Sequence, residues 1–404
     1  MLGRARAGVE RAFAAEWSGA ALVGALALVA LMIFTDGGRA TPYNNFVWLA
    51  DAFNHGRPWI HFPGDYIDAV PFHGRAYIIE GPTPAILLMP FVAIWGTNAN
   101  QTLLSIALGA IAAGATYTLG RRLGVALAAT LWITGFAFFG TSLFWCTALG
   151  DVWFIAHVAS VAFIMLALVE IAGKRRGWLV ALWIIGAVEA RFSLLLAVPV
   201  LLYLLFFGGF AARAVLDDRT TLRTRAVSFG CVAIVALGLW VWYNEARWGL
   251  PYDIGYTYFY HVMTKGAGSP FQLAYFPDEL HAFFVAAPTW LASFPFMRPQ
   301  IWGIALPYTS PALIYAFFVR RPLHVVLALW IATLVVAAPN FVYYANGFAQ
   351  FGMRHALDFE PFMFALMFLA ARRRFPMWSA ILCGYSIAAG IYGVYCYQFF
   401  EHRP

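Results

Sequence analysis

The chain has 404 residues, of which 62% are apolar and only 11% charged. A soluble domain carries about 45–50% apolar and about 25% charged residues, so this composition excludes an ordinary soluble enzyme and a disordered chain. The formal charge of +7 would suggest nucleic acid on a soluble protein. In a membrane protein Lys and Arg collect in cytoplasmic loops instead, so no nucleic-acid partner is expected. The apolar runs are long and unbroken rather than alternating, which excludes an outer-membrane barrel and leaves a polytopic helical membrane protein.

The first run, 17–34, follows Arg4, Arg6 and Arg11 and predicts a cytoplasmic N-terminus. It is long enough to span and more runs follow, so it reads as a span rather than a cleaved signal peptide. Further runs lie at about 100–119, 126–144, 152–172, 178–190, 192–208, 226–243, 302–319, 323–344, 359–371 and 377–398. A shorter segment, 82–95, is bracketed by Pro82, Pro84 and Pro90. As a helix it reaches about 21 Å, short of the roughly 30 Å hydrocarbon core.

Charge decides how that segment is read. With eleven spans and 82–95 left out, the inner side carries 17 Lys and Arg and the outer side 9. Making it a span reverses the split, against the positive-inside rule. The segment is therefore expected to be a short helix in the outer interface. On this reading 14 of the 19 acids face outward. Two long outer loops follow, 35–99 and about 244–301, within one transmembrane domain over 1–404. The second is aromatic-rich, with 14 aromatics between 251 and 302. These fit an interfacial belt or a platform for sugars and isoprenoid chains equally well. The expected class is all-α, multi-pass, in a bacterial inner membrane.

Candidate chemistry sits outside. Asp36 stands at the outer end of the first span. The first loop also holds Asp65, Asp68 and Glu80, and a carboxylate there can act as general base toward a hydroxyl. The turn Glu189-Ala190-Arg191 falls between two runs too short to be full spans. Those charges must therefore lie below the membrane surface, against protein or water. They either neutralise each other or leave Arg191 free to receive an anion such as phosphate. Arg354, His355 and Asp358 form a similar place; Arg354 and Asp358 are four apart and either pair along a helix or leave the arginine for a phosphate. Asp151 and His157 open the run at 152–172, and Arg247 begins the second loop in Asn244-Glu245-Ala246-Arg247-Trp248. Glu170 is expected to pair with Lys174 at the inner end. The histidines are scattered, with no HxxxH or HExxH, so spacing defines no metal site. The cysteines Cys146, Cys231, Cys383 and Cys396 form no CxxC, and most sit in apolar runs.

Six stretches carry a resemblance: PYNNFVWLADAFNHGR, DAVPFHGRAYIIEGPTPAILLMP, DVWFIAHVASVAFIMLAL, GAVEARFSLLLAVP, YNEARWGLPYDIGY and QFGMRHALDFEPF. In order and spacing, from about 43 to 362, they resemble the membrane glycosyltransferases of the C-type (GT-C) fold. The nearest kin are the protein O-mannosyltransferase and lipid A aminoarabinose transferase superfamily and its smaller bacterial relatives. The resemblance implies transfer of a sugar from a polyprenyl-phosphate carrier to a glycan, lipid or protein acceptor at the outer face, with membrane lipids as partners. The family's acidic pair, a base or metal ligand, is replaced here by Pro42-Tyr43-Asn44-Asn45, which leaves a divalent metal open and moves the base to Asp36 or Asp68. Arg191 and Arg354 match the places of basic groups near the carrier phosphate. Glu80 would shape the acceptor entrance. A flippase for a lipid-linked sugar, or a non-catalytic membrane partner, would use the same cavity without a base.

Overall fold

The computed structural model describes residues 16–61, 68–294, 296–298 and 300–399. The apolar runs all become helical, yet they are not eleven uniform spans. Among the described residues six helices are long and apolar enough to cross a membrane: α1 (Glu16–Phe34), α4 (Gln101–Arg122), α7 (Phe154–Ile171), α10 (Arg219–Trp248), α14 (Leu323–Asn340) and α16 (Met377–Phe399). A seventh span is a bent pair, α5 (Leu127–Phe139) and α6 (Ser142–Leu149), which meet at 53°. The runs at 178–190 and 192–208 become α8 (Gly177–Val188), a 3-10 turn (Phe192–Ala197) and α9 (Val198–Phe206). The run at 302–319 splits into α13 (Leu306–Thr309) and a 3-10 segment (Pro311–Phe318). Pro307 and Pro311 lack the N–H that would carry one helix through that stretch. The last short helix, α15 (Glu360–Ala371), is buried along its length.

Local signals fix the ends. Asn100 caps α4, its side chain accepting the Leu103 N–H at 3.3 Å, and Asp218 caps α10 through Thr220 and Thr221 at 3.0 and 3.1 Å. Gly150 and Gly249 end α6 and α10 in the left-handed conformation that glycine adopts without cost. The flank of α10 is almost wholly exposed and apolar, including Ile234, Val235, Leu237 and Leu239. That is the surface expected against lipid.

The helices sort their ends. Arg122, ending α4, meets Glu16 at the start of α1 and the Val169 carbonyl near the end of α7. Glu170 pairs with Arg176 at 2.8 Å, not with Lys174 as the sequence suggested, because the chain turns back after α7. Arg175 and Arg225 share Asp217. One end of the bundle thus gathers paired basic residues. The opposite end carries the loops.

There the first loop holds α2 (Asn45–Asn54), a hairpin of β1 (Ala69–Phe72) and β2 (Arg75–Ile78), and α3 (Thr83–Trp95). His73 and Gly74, both at positive φ, make the tight turn of the hairpin. The second loop holds α11 (Gly255–Val262), α12 (Phe276–Phe284) and a two-residue pairing of β3 (Thr289–Trp290) with β4 (Met297–Arg298). Its aromatics dock onto the hairpin: Phe72 lies 5.4 Å from Trp248 and 5.2 Å from Tyr258. Part of the aromatic richness is therefore packing between the two loops.

Candidate active site

The hairpin register explains how two acids meet. Ala69 pairs with Ile78, so Asp68 and Glu80, twelve apart in sequence, both leave the open end of the hairpin. Glu80 is only 2% exposed, and the Asn45 carboxamide lies beside it. Neither Glu80 oxygen makes a well-formed hydrogen bond among the described residues. Burial, reinforced by the Asp68 charge, pushes the Glu80 carboxyl up to about 8. Asp68 is also raised by burial, while a hydrogen bond with Trp153 and the nearby Arg354 charge pull it down. One site therefore holds two neighbouring acids whose affinity for a proton burial has raised. At the position of the missing acidic pair, Asn45 stands beside Glu80.

Facing the acids is a buried network. Arg191 donates from Nε and Nη2 to the two Asp358 oxygens at 3.0 and 2.9 Å. Asp358 Oδ2 also accepts from the Ser193 hydroxyl at 2.8 Å and from the Asn340 amide at 3.4 Å. His157 Nδ1 lies 3.2 Å from the other Asp358 oxygen. His355 Nδ1 is 3.3 Å from Asn340 Oδ1, and its ring is 5.6 Å from that of His157. The break at 189–191 makes this possible. Gly81 passes so close that a Cβ on it would fall 2.0 Å from the Glu189 carbonyl, and the Thr83 N–H donates to the same carbonyl at 3.3 Å. The strand-to-helix turn after β2 thereby pins the chain that presents Arg191.

Arg354 differs from Arg191. It is buried, at 6% exposed, and donates to the Phe348 carbonyl at 3.0 Å and to Gln350 at 3.3 Å. It stacks over Trp153 at 5.0 Å. Among the described residues it has no ion pair, and its Nε has no partner. A buried guanidinium with no ion pair among the described residues, in the field of Asp68 and under the Trp153 face, has the chemistry to receive an anion.

Several expectations change. Neither the Glu189–Arg191 nor the Arg354–Asp358 pairing forms, because Asp358 is claimed by Arg191 from a distant helix break. Asp36 does not join the acids. It is exposed just past α1 at positive φ, in a turn held by Thr35. Glu80 is too buried to line an entrance. Arg247 is committed to Asp253 at 3.2 Å, Asn244 at 2.8 Å and the Ile78 carbonyl at 3.3 Å, so it ties the second loop to the hairpin. Glu189 lies on that side, within the field of Arg247 and Asp253. Asp151 stands in the turn before α7, where its carbonyl accepts from Phe154 at 2.7 Å. Asp65 lies outside the described residues. Sequence reasoning missed Asn45, Ser193, Asn340, Trp153 and the tyrosines Tyr256 and Tyr343, whose rings lie 6.5 Å apart within the field of Arg191. Only Asn340, a polar group inside an apolar run, gave a signal.

No group of three or more His, Cys, Asp or Glu converges as a metal ligand set among the described residues.

A helical membrane bundle with its polar cluster under two long loops at one end is the C-type glycosyltransferase fold. No protein-family model and no curated protein matches the chain. Among solved structures it is similar to the crystal structure of ArnT from Cupriavidus metallidurans bound to undecaprenyl phosphate. The TM-score is 0.52 at 14% identity, over 89% of this chain and 60% of that one. At that identity the likeness is one of fold, and this chain spans 60% of that structure's length.

Proposed function

We propose that the protein is a glycosyltransferase that moves a sugar from a polyprenyl-phosphate carrier to an acceptor hydroxyl at the loop-bearing, outer face of the bacterial inner membrane. The observation that carries this reading is the convergence of Asp68 and Glu80 with the unpaired, buried Arg354. The fold likeness to a protein captured with undecaprenyl phosphate supports it.

Each group then has a role. Asp68, hydrogen-bonded with Trp153 and in the field of Arg354, takes the acceptor proton as the acceptor oxygen attacks the anomeric carbon. The bond to the carrier phosphate breaks and the charge moves to the departing polyprenyl phosphate. Arg354 is placed for that charge. Arg191 is not free to leave Asp358, so it contributes a fixed positive field and orients the lining. Protonated Glu80 keeps a second negative charge away from the phosphate. The acceptor class follows from none of these groups.

The test is transfer of labelled sugar from a polyprenyl-phosphate donor by purified protein in detergent. Asp68→Asn should lower kcat/KM by about 10²–10⁴ with the fold intact. Unchanged transfer by that variant would remove Asp68 as base. No transfer by the wild type with any donor, together with donor flipping in vesicles, would make the protein a transporter.

A further inference from the structure

At the basic end of the bundle four arginines are held by acids. Arg122 is matched by Glu16, Arg176 by Glu170, and Arg175 and Arg225 by Asp217. Arg320, Arg321, Arg373 and Arg374 have no acid partner among the described residues. Between residues 311 and 378 the chain has only Asp358 and Glu360 as acids. Both stand at the far end of α15, roughly 18 Å away at about 1.5 Å per residue.

These four arginines do not merely decorate a surface. They come from two separate connections and line one cavity of about 410 Å³, whose walls include Phe318 and Trp378. That volume lies within the range of small-ligand sites. Trp378 packs 5.0 Å from Phe318 and 5.6 Å from Tyr315, and Tyr315 donates its hydroxyl proton to the Arg374 carbonyl. The aromatic wall is therefore braced to the arginine-bearing turn. The helices α14 and α16 both begin at this place, at Leu323 and Met377. Their positive dipole ends add to the guanidinium charge. Orientation in the membrane needs only net charge near the helix ends. It does not need a concave, aromatic-walled cavity in which that charge is left unmatched.

We propose that this cavity binds the phosphates of an anionic lipid headgroup in the leaflet opposite the candidate active site. Two phosphates with a short linker match four guanidiniums best, since each phosphate takes a bidentate pair. The glycerol and first acyl carbons would lie on Phe318 and Trp378. The site is independent of the transfer reaction and shares no residue with it.

The experiment is native mass spectrometry of the full-length protein in detergent micelles, titrated separately with tetraoleoyl cardiolipin, dioleoyl phosphatidylcholine and inorganic pyrophosphate. Cardiolipin should bind one high-affinity site at least about tenfold more tightly than phosphatidylcholine, and Arg373→Gln/Arg374→Gln should weaken it by about tenfold or more. Equal binding of the two lipids overturns the proposal, and pyrophosphate binding without cardiolipin binding overturns the lipid source. Because the arginines also guide insertion, Ala370→Phe provides a second arm, filling the cavity while leaving every charge in place. It should abolish the high-affinity site; retention would show a diffuse basic surface instead.

Discussion

Three residues carry opposite consequences for neighbouring chemistry. Glu80 and Asp68 are both acids of the first loop raised by burial, yet a hydrogen bond with Trp153 and the Arg354 charge pull Asp68 back down. A carboxyl raised from 4.5 to about 8 binds its proton more tightly in the folded than in the unfolded protein. Its contribution turns unfavourable as pH rises, so stability falls between about 4.5 and about 8. Glu80→Gln should remove that part of the decline, as thermal unfolding across pH 5–9 would show; an unchanged slope would mean that Glu80 is not the group responsible. Asp358 behaves differently, since it is fully buried and bound to Arg191, Ser193, Asn340 and His157. Breaking a buried pair from one side costs about 3–5 kcal/mol. Asp358→Asn should therefore lower the melting temperature sharply, whereas Arg354→Gln, which breaks no ion pair, should leave it nearly unchanged and raise KM for the carrier. Equal melting losses in both would contradict the distinct roles given to the two arginines.

What sequence made legible at this scale was charge out of place. Arg191, Arg354, His157 and Asp358 stood out because charged or polar groups in or beside apolar runs are costly without partners. Their pairing was not legible. The Arg191–Asp358 contact spans 167 positions, and local spacing favoured partners two and four residues away. Asp36 was misread because nearness to the membrane edge in sequence says nothing of which way a helix end turns.

At the scale of elements, the site depends on breaks in regular structure. The hairpin β1–β2 brings two acids together by register, and the interruption between α8 and α9 presents Arg191. Gly81 joins the two, because only a residue without Cβ fits 2.0 Å from the Glu189 carbonyl. Gly81→Ala should force the turn and the break apart, lowering stability by about 1–3 kcal/mol. Transfer should fall by more than that loss alone explains, measured by denaturation and by activity on the same sample. An alanine variant with wild-type stability and activity would show that the contact yields easily. The apolar runs were visible in sequence as runs. That several would be short or bent followed only partly from Pro307 and Pro311, and the hairpin was hidden inside a loop read simply as rich in turns.

At the scale of the molecule, the scarce charge separates into two ends. Basic residues gather where α4 and α7 finish and where α14 and α16 begin, and the polar cluster lies where α14 finishes and α15 begins. The positive-inside rule then predicts the loops outside. A variant with its exposed Cys231 removed, carrying a single new cysteine at His55 or at Lys174, both exposed, would test this. An impermeant thiol reagent added outside should label the His55→Cys protein and spare the Lys174→Cys protein. The reverse pattern would invert the topology and move the proposed chemistry to the cytoplasm.

The central claim is that the polar cluster receives a polyprenyl phosphate. Its most direct test is cryo-electron microscopy of the protein in nanodiscs supplied with undecaprenyl phosphate. Phosphate density is expected within about 4 Å of the Arg354 guanidinium, with the isoprenoid tail leaving between helices toward lipid and Arg191 still bound to Asp358. A lipid phosphate seated elsewhere, with the space beside Arg354 filled only by water, would contradict it.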